Sequence, residues 1–257
     1  MAAAADKRLA GRTVAAVACF DSFGKMAMTL LAACRRQGAD TTLHLLEINN
    51  RALSRRQRLE IRRTDPRTRI EKHRWNEFRQ LTRAMAGKVD VLVLGLDGRR
   101  SRDALLMLAA EWKETSRRPL LVSAYPGILF RFALEGMLDR SGVDLLCLNS
   151  NQDLELYQQG CRALGQDSGN AVVTGLPILW RVPQHQPPPD RPSIVFFEQP
   201  SIPVHPVQRH FLCHELKHLA EAWPEHPVIF KPRTSSIEST LHRRHGEMAG
   251  VIDRMSE

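Results

Sequence analysis

At 257 residues, with 43% apolar and 25% charged side chains, the chain has enough core-forming material for one full domain and part of another, and its composition excludes a disordered or fibrous class. No apolar run approaches the roughly 18 residues that cross a bilayer, and Met1 to Arg12 lacks the apolar stretch of a secretory signal, so the cytoplasm is the expected compartment. The formal charge of +9 is uneven, because the segment from Arg51 to Arg74 alone contributes +7.

In chain order, residues 13 to 20 (TVAAVACF) form a β-branched apolar run short enough for a strand buried on both faces. The run stops at Asp21-Ser22-Phe23-Gly24-Lys25, read as a loop, and a helix (MAMTLLAACRRQ) leads to Gly38. Residues 42 to 48 predict the next strand. The basic segment follows as a short helix, RALSRRQRLEIRR, broken before Pro66 and continued by TDPRTRIEKHR without a strand of its own. A solvated face is one reading of this basic segment, and docking of residues 51–74 on an anionic membrane surface or an acidic acceptor is another. No helix-turn-helix, zinc finger or aromatic platform accompanies it, so nucleic acid is not expected.

The helix WNEFRQLTRAMAG and the strand VDVLVLGL come next, and Ser101 is the expected N-cap of RDALLMLAAEWKE. A strand (PLLVSA) reaches Tyr125-Pro126-Gly127, and a helix is expected from Phe130 to Asp139. The strand DLLCL ends at Asn149-Ser150, the helix LELYQQGCRAL follows, and the run Ala171 to Thr174 ends at Gly175-Leu176-Pro177. Six apolar strands separated mainly by helices call for a doubly wound, Rossmann-like parallel sheet, because parallel neighbours need a crossover long enough to hold a helix. Five prolines between Arg181 and Pro192 mark a linker. The expected organisation is therefore a Rossmann-like domain over 1–180, a connector over 181–192, and a short or truncated second α/β domain over 193–257 with strands at SIVFFE and PVIFK.

In open α/β sheets ligands bind outside the carboxyl ends of the strands. That rule selects Asp21, Ser22 and Lys25, then the Asp97-Gly98-Arg99 turn, Tyr125 and Gly127, Asn149 and Ser150, Gly175, Glu198, and the Lys231-Pro232-Arg233-Thr234-Ser235-Ser236 turn. Asp21 is a candidate general base if its surroundings desolvate it. Lys231, Arg233, Ser235 and Ser236 offer cations and hydroxyls to an anionic leaving group. Glu198 is a candidate helix cap or cleft residue. Neither a G-x-G-x-x-G fingerprint nor a P-loop is present. The five cysteines form no Cys-x-x-Cys pair and read as core residues, with a catalytic thiol as the alternative. His210, His214 and His218 recur every four residues, but Lys217 beside them favours a solvated or partner-facing stripe over a metal site.

Asp21-Ser22-Phe23-Gly24-Lys25, Leu148-Asn149-Ser150, Val172 to Pro177, and Phe230-Lys231-Pro232-Arg233 with Glu238, Thr240 and His242 together resemble the bacterial family of unknown function 6716, which is similar to GT-B glycosyltransferases. The resemblance implies an acceptor-side first domain and a donor-side second one. It also implies a nucleotide-sugar donor, CMP-linked donors among those suggested, a cell-surface glycan or lipid-linked acceptor, no cofactor, and nucleotide release without a metal. In sialic acid and Kdo transferases of this fold a His-Pro pair stands where this chain has Lys231-Pro232-Arg233. The readings from other classes are a GT-B-like sugar-nucleotide epimerase and a non-catalytic module that binds anionic surfaces.

Overall fold

In the computed structural model, described for residues 7–48, 52–115, 117–129, 133–181, 192–199, 203, 205–232 and 248–256, seven parallel strands form the main sheet. Strand β1 (Thr13–Ala18) is buried at five of its six positions, which explains its unbroken apolar sequence: both faces are covered. It pairs on one side with β2 (Asp40–Glu47) and on the other with β4 (Val91–Gly95). Beyond β2 lies β3 (Arg69–Arg74), and beyond β4 lie β5 (Leu120–Ala124), β6 (Leu145–Leu148) and β7 (Ala171–Val173), giving the order β3-β2-β1-β4-β5-β6-β7. Chain order reverses between β1 and β4, which defines the topological switch point.

The crossovers are α1 (Phe20–Arg36), α2 (Arg55–Thr64), α3 (Phe78–Met85), α4 (Gly98–Glu111), α5 (Leu134–Leu138) and α6 (Asn151–Ala163). Helix α2 opens with a capping box in which the Ser54 hydroxyl accepts from the Gln57 N–H at 3.1 Å and the Gln57 side chain accepts from the Ser54 N–H at 2.8 Å. One continuous core joins β1, β2, β4, β5 and β6 to α1, with Leu31, Leu43, Leu92, Leu94 and Leu108 almost wholly enclosed.

Three expectations are corrected. The basic segment does contain a strand, β3, whose RIEKHR sequence carries no apolar signal because it is the solvent-facing edge of the sheet, where charges discourage further pairing. The stretch Asp21 to Lys25 is not a loop but the start of α1, which begins directly after Cys19. Helix α4 starts at Gly98, so Ser101 lies inside it and is buried; Asp97 is the cap, accepting from the Arg100 N–H at 3.1 Å.

The chain divides into two compact units, Met1–Val182 and Pro183–Glu257. In the second, β8 (Ile194–Phe197) pairs in parallel with β9 (Val228–Lys231), and α7 (Pro206–Ala222) and α8 (Ala249–Ser256) accompany them. The rings of Phe196 and Phe230 stack at 5.9 Å on one face, while Val195, Phe197 and Ile229 on the other are exposed. Phe130 and most of the linker lie outside the described residues.

Candidate functional site

The switch point is built where β1 and β4 end side by side. Gly95, the last residue of β4, is packed so closely that a Cβ there would stand 3.2 Å from the Ala18 Cβ and 3.3 Å from the Phe23 carbonyl oxygen. Immediately after β1 the backbone turns sharply: Phe20 has φ of +60°, a left-handed conformation that side-chain-bearing residues avoid. This elbow lets α1 start at once and sets Asp21 in its first turn. Asp21 is 39% exposed and lies 3.5 Å from the Lys25 ammonium, which is itself bound at 2.6 Å by Glu60 of α2. Glu60 is correspondingly held below the usual carboxylate range, chiefly by the Lys25 hydrogen bond.

Across the switch point the end of β4 supplies Asp97 and Arg100, paired at 2.5 Å, and the Arg100 guanidinium stands 5.8 Å from the centre of the Phe20 ring. The two strand ends therefore carry an acid and a cation each, Asp21 with Lys25 and Asp97 with Arg100. Cys19 sits between them but is no nucleophile: burial pushes its thiol up to about 12, and it donates to the Gly95 carbonyl at 3.8 Å. All five cysteines are free, and four are buried.

Further along the carboxyl edge, Tyr125 turns inward and is buried; desolvation raises its hydroxyl to about 12, against the pull of Arg140. The Arg140 guanidinium is buried 4.5 Å from the Tyr125 ring centre and donates to the carbonyls of Leu96 and Gly136 and, at 3.3 Å, to the Tyr125 hydroxyl. Its Nε has no partner among the described residues. Asn149 donates to the Gly127 carbonyl at 2.7 Å, tying the ends of β6 and β5, while its Oδ1 is buried with no partner among the described residues. Ser150 caps α6, accepting from the Asp153 N–H at 3.2 Å. Gly175 adopts φ of +74°, and the 3-10 turn after it (Pro177–Arg181) returns to contact α1. Ser22 is exposed on α1.

In the second unit Lys231 ends β9 and is exposed. Glu198 is engaged by the buried Arg209 of α7 at 2.7 Å, so its carboxylate anchors the helix, while Arg209 also donates to the carbonyls of Gln199 and Pro203. Arg233, Ser235 and Ser236 lie outside the described residues. The strand-end rule singles out Asp97, with Gly98 and Arg99, but not Arg100 or Arg140. Arg100 could have been, since it directly follows that turn, whereas nothing local distinguishes Arg140 from a surface arginine. A largely apolar groove of about 890 Å³ lies elsewhere, against α4, α5 and α6 and the residues leading into β5 and β6; it has no part in the switch point.

The strand order and the elbow place the protein among Rossmann-like α/β proteins. More particularly, over residues 14–257 the chain matches the family described as "Putative glycosyltransferase (DUF6716)", and it belongs to that family. The solved structure of LpCGTa in complex with UDP is similar over 86% of this chain and 70% of that one, at 11% identity and a TM-score of 0.51, which bears on the fold alone. A short chain dehydrogenase from Shigella flexneri covers 46% of this chain at 12% identity, 56% of its own length and a TM-score of 0.32, too slight a likeness to bear on either fold or function. No curated protein sequence matches the chain.

Proposed function

We propose that the protein is a glycosyltransferase that moves a sugar from a nucleotide-activated donor to a glycan or lipid-linked acceptor, with no metal in the transfer step. The observation that carries this reading is the polar switch point of a chain belonging to a glycosyltransferase family: a left-handed elbow at Phe20 presents a half-exposed carboxylate at the crevice where such sheets take their ligands.

Asp21 is the proposed base. The acceptor hydroxyl gives its proton to the Asp21 carboxylate as its oxygen bonds the anomeric carbon, and the bond from that carbon to the nucleotide phosphate breaks. Lys25 stands beside it at 3.5 Å. Ser22, Gly127, Asn149, Ser150 and Gly175 line the acceptor side, on the first unit. On the second, Lys231 with Arg233, Ser235 and Ser236 neutralises the departing phosphate. LpCGTa holds UDP, so UDP-linked sugars join CMP-linked ones as donors to test. The exposed arginines of α2 and its flank, Arg55, Arg62, Arg63 and Arg67, would rest on an anionic membrane where lipid-linked acceptors reside; binding to anionic vesicles that weakens with salt supports this, and equal binding to neutral vesicles contradicts it.

With a donor that turns over, Asp21→Asn lowers kcat by about 10² to 10⁴ with donor KM little changed. Lys231→Ala costs about 2 to 4 kcal/mol in kcat/KM. Wild-type kcat in the Asp21 variant removes it as the base, and nucleotide release that ignores the acceptor removes the transferase reading in favour of an epimerase or hydrolase.

A further inference from the structure

Away from the switch point, three metal-ligating side chains converge on one face of the sheet at its β3 edge. The register sets His44 of β2 opposite Glu71 of β3 and Leu46 opposite His73. Side chains alternate along a strand, so Glu71 and His73, two residues apart, share the face of His44. His44 Nδ1 and His73 Nε2 are 3.1 Å apart, His44 Nδ1 and Glu71 Oε2 3.3 Å, and His73 Nε2 and Glu71 Oε2 3.6 Å. These three residues are the one group of three such ligands found in mutual reach among the described residues.

That triangle has the dimensions of a zinc coordination face. With bonds of about 2.0 to 2.1 Å, two ligand atoms of a tetrahedral zinc stand about 3.3 Å apart, whereas octahedral neighbours at the same bond length stand about 2.9 Å apart. As a hydrogen-bonded set the group is poorly served, because a proton on one ring nitrogen can satisfy one edge of the triangle well, while a cation at its centre satisfies all three corners. The other carboxylate oxygen, Glu71 Oε1, is held by Arg69 at 2.7 Å, which fixes the carboxylate's rotation as an outer partner does in metal sites. His44 is buried, so the inner corner of the triangle is enclosed by the fold.

We propose that His44, Glu71 and His73 form a zinc site with water at the fourth position, pinning the charged edge strand β3 to β2. Two imidazoles and a single carboxylate suit zinc and disfavour calcium or magnesium, which take oxygen ligands. The site stands on β2 and β3, not on the ends of β1 and β4, so the proposal is independent of sugar transfer.

The test uses the full chain freed of metal by chelation and titrated calorimetrically with Zn²⁺, with Co²⁺ as a spectroscopic substitute. The expected result is one zinc bound, a higher melting temperature, and the intense visible absorption of tetrahedral cobalt. His44 is buried and its replacement risks misfolding, so His73→Asn and Glu71→Gln, at half-exposed positions, carry the comparison; each loses at least about 100-fold in zinc affinity while keeping its circular dichroism. His210 and His214 on α7, with rings 5.9 Å apart, are the rival pair, and a His210→Gln/His214→Gln double variant leaves the affinity unchanged. Absence of stoichiometric zinc, binding that survives His73→Asn, or binding lost in the α7 double variant overturns the proposal.

Discussion

Asp65 closes the turn after α2 as a nearly inaccessible carboxylate. Its oxygens accept from Arg35 Nε and Nη2 at 2.7 and 2.9 Å, from the Thr68 hydroxyl at 2.9 Å and from the Arg67 N–H at 3.3 Å. Burial pushes its pKa up, but these donors outweigh burial and hold it below the ordinary carboxylate range. A depressed folded pKa means stability that is present above the unfolded value of about 3.9 and is lost as pH falls through the folded one. Asp65→Asn should therefore cost about 2 to 3 kcal/mol at neutral pH by urea unfolding, with the gap to wild type closing at acid pH below about 3.9; a constant gap across that range contradicts the assignment. At this scale the sequence was partly legible. Asp21 and Lys25 could be found because residues just after apolar strands face the ligand crevice. The Glu60 that grips Lys25, the burial of Arg140 and the meeting of His44 with His73 could not, since each depends on partners some 30 residues away or more whose pairing no local pattern announces.

At the scale of elements, apolar runs revealed the other strands and hid the charged edge strand β3. Strand β3 alternates exposed and half-buried positions with charged residues, so it has neither the continuous apolar run nor the clean two-residue period that marks a strand. The start of α1 was hidden for another reason: the left-handed Phe20 does in one residue what usually takes a short loop, and no glycine signals it. Helix α4 offers a direct test of how closely elements meet near the switch point. A Cβ on Gly98 would stand 2.9 Å from the Gly136 Cα and from Asp139 Oδ2 of the α5 region. Helix propensity alone makes Gly98→Ala stabilising by up to about 1 kcal/mol. Overpacking against backbone reverses the sign, and a net loss of about 1 to 2 kcal/mol is expected in denaturant unfolding; a gain shows that α4 and α5 are not in this contact.

For the whole molecule, the Rossmann-like class followed from strands alternating with helices, and seven parallel strands in the order β3-β2-β1-β4-β5-β6-β7 realise it. The order itself was not legible, because apolar runs state that strands are buried without stating their neighbours, and the switch point is a property of order. Among the described residues no helix is long and apolar enough to cross a membrane. The account's central claim is that the first unit presents Asp21 to an acceptor while the second, through Lys231, holds an activated sugar by its phosphate. The most direct measurement is thermal denaturation of the full chain with UDP- and CMP-linked sugars, followed by an acceptor-dependent nucleotide-release assay with whichever donor stabilises it. The account predicts that at least one nucleotide sugar raises the melting temperature of wild type but not of Lys231→Ala, and that nucleotide is then released only when acceptor is added. Indifference to every nucleotide sugar, or equal stabilisation of the Lys231 variant, contradicts it.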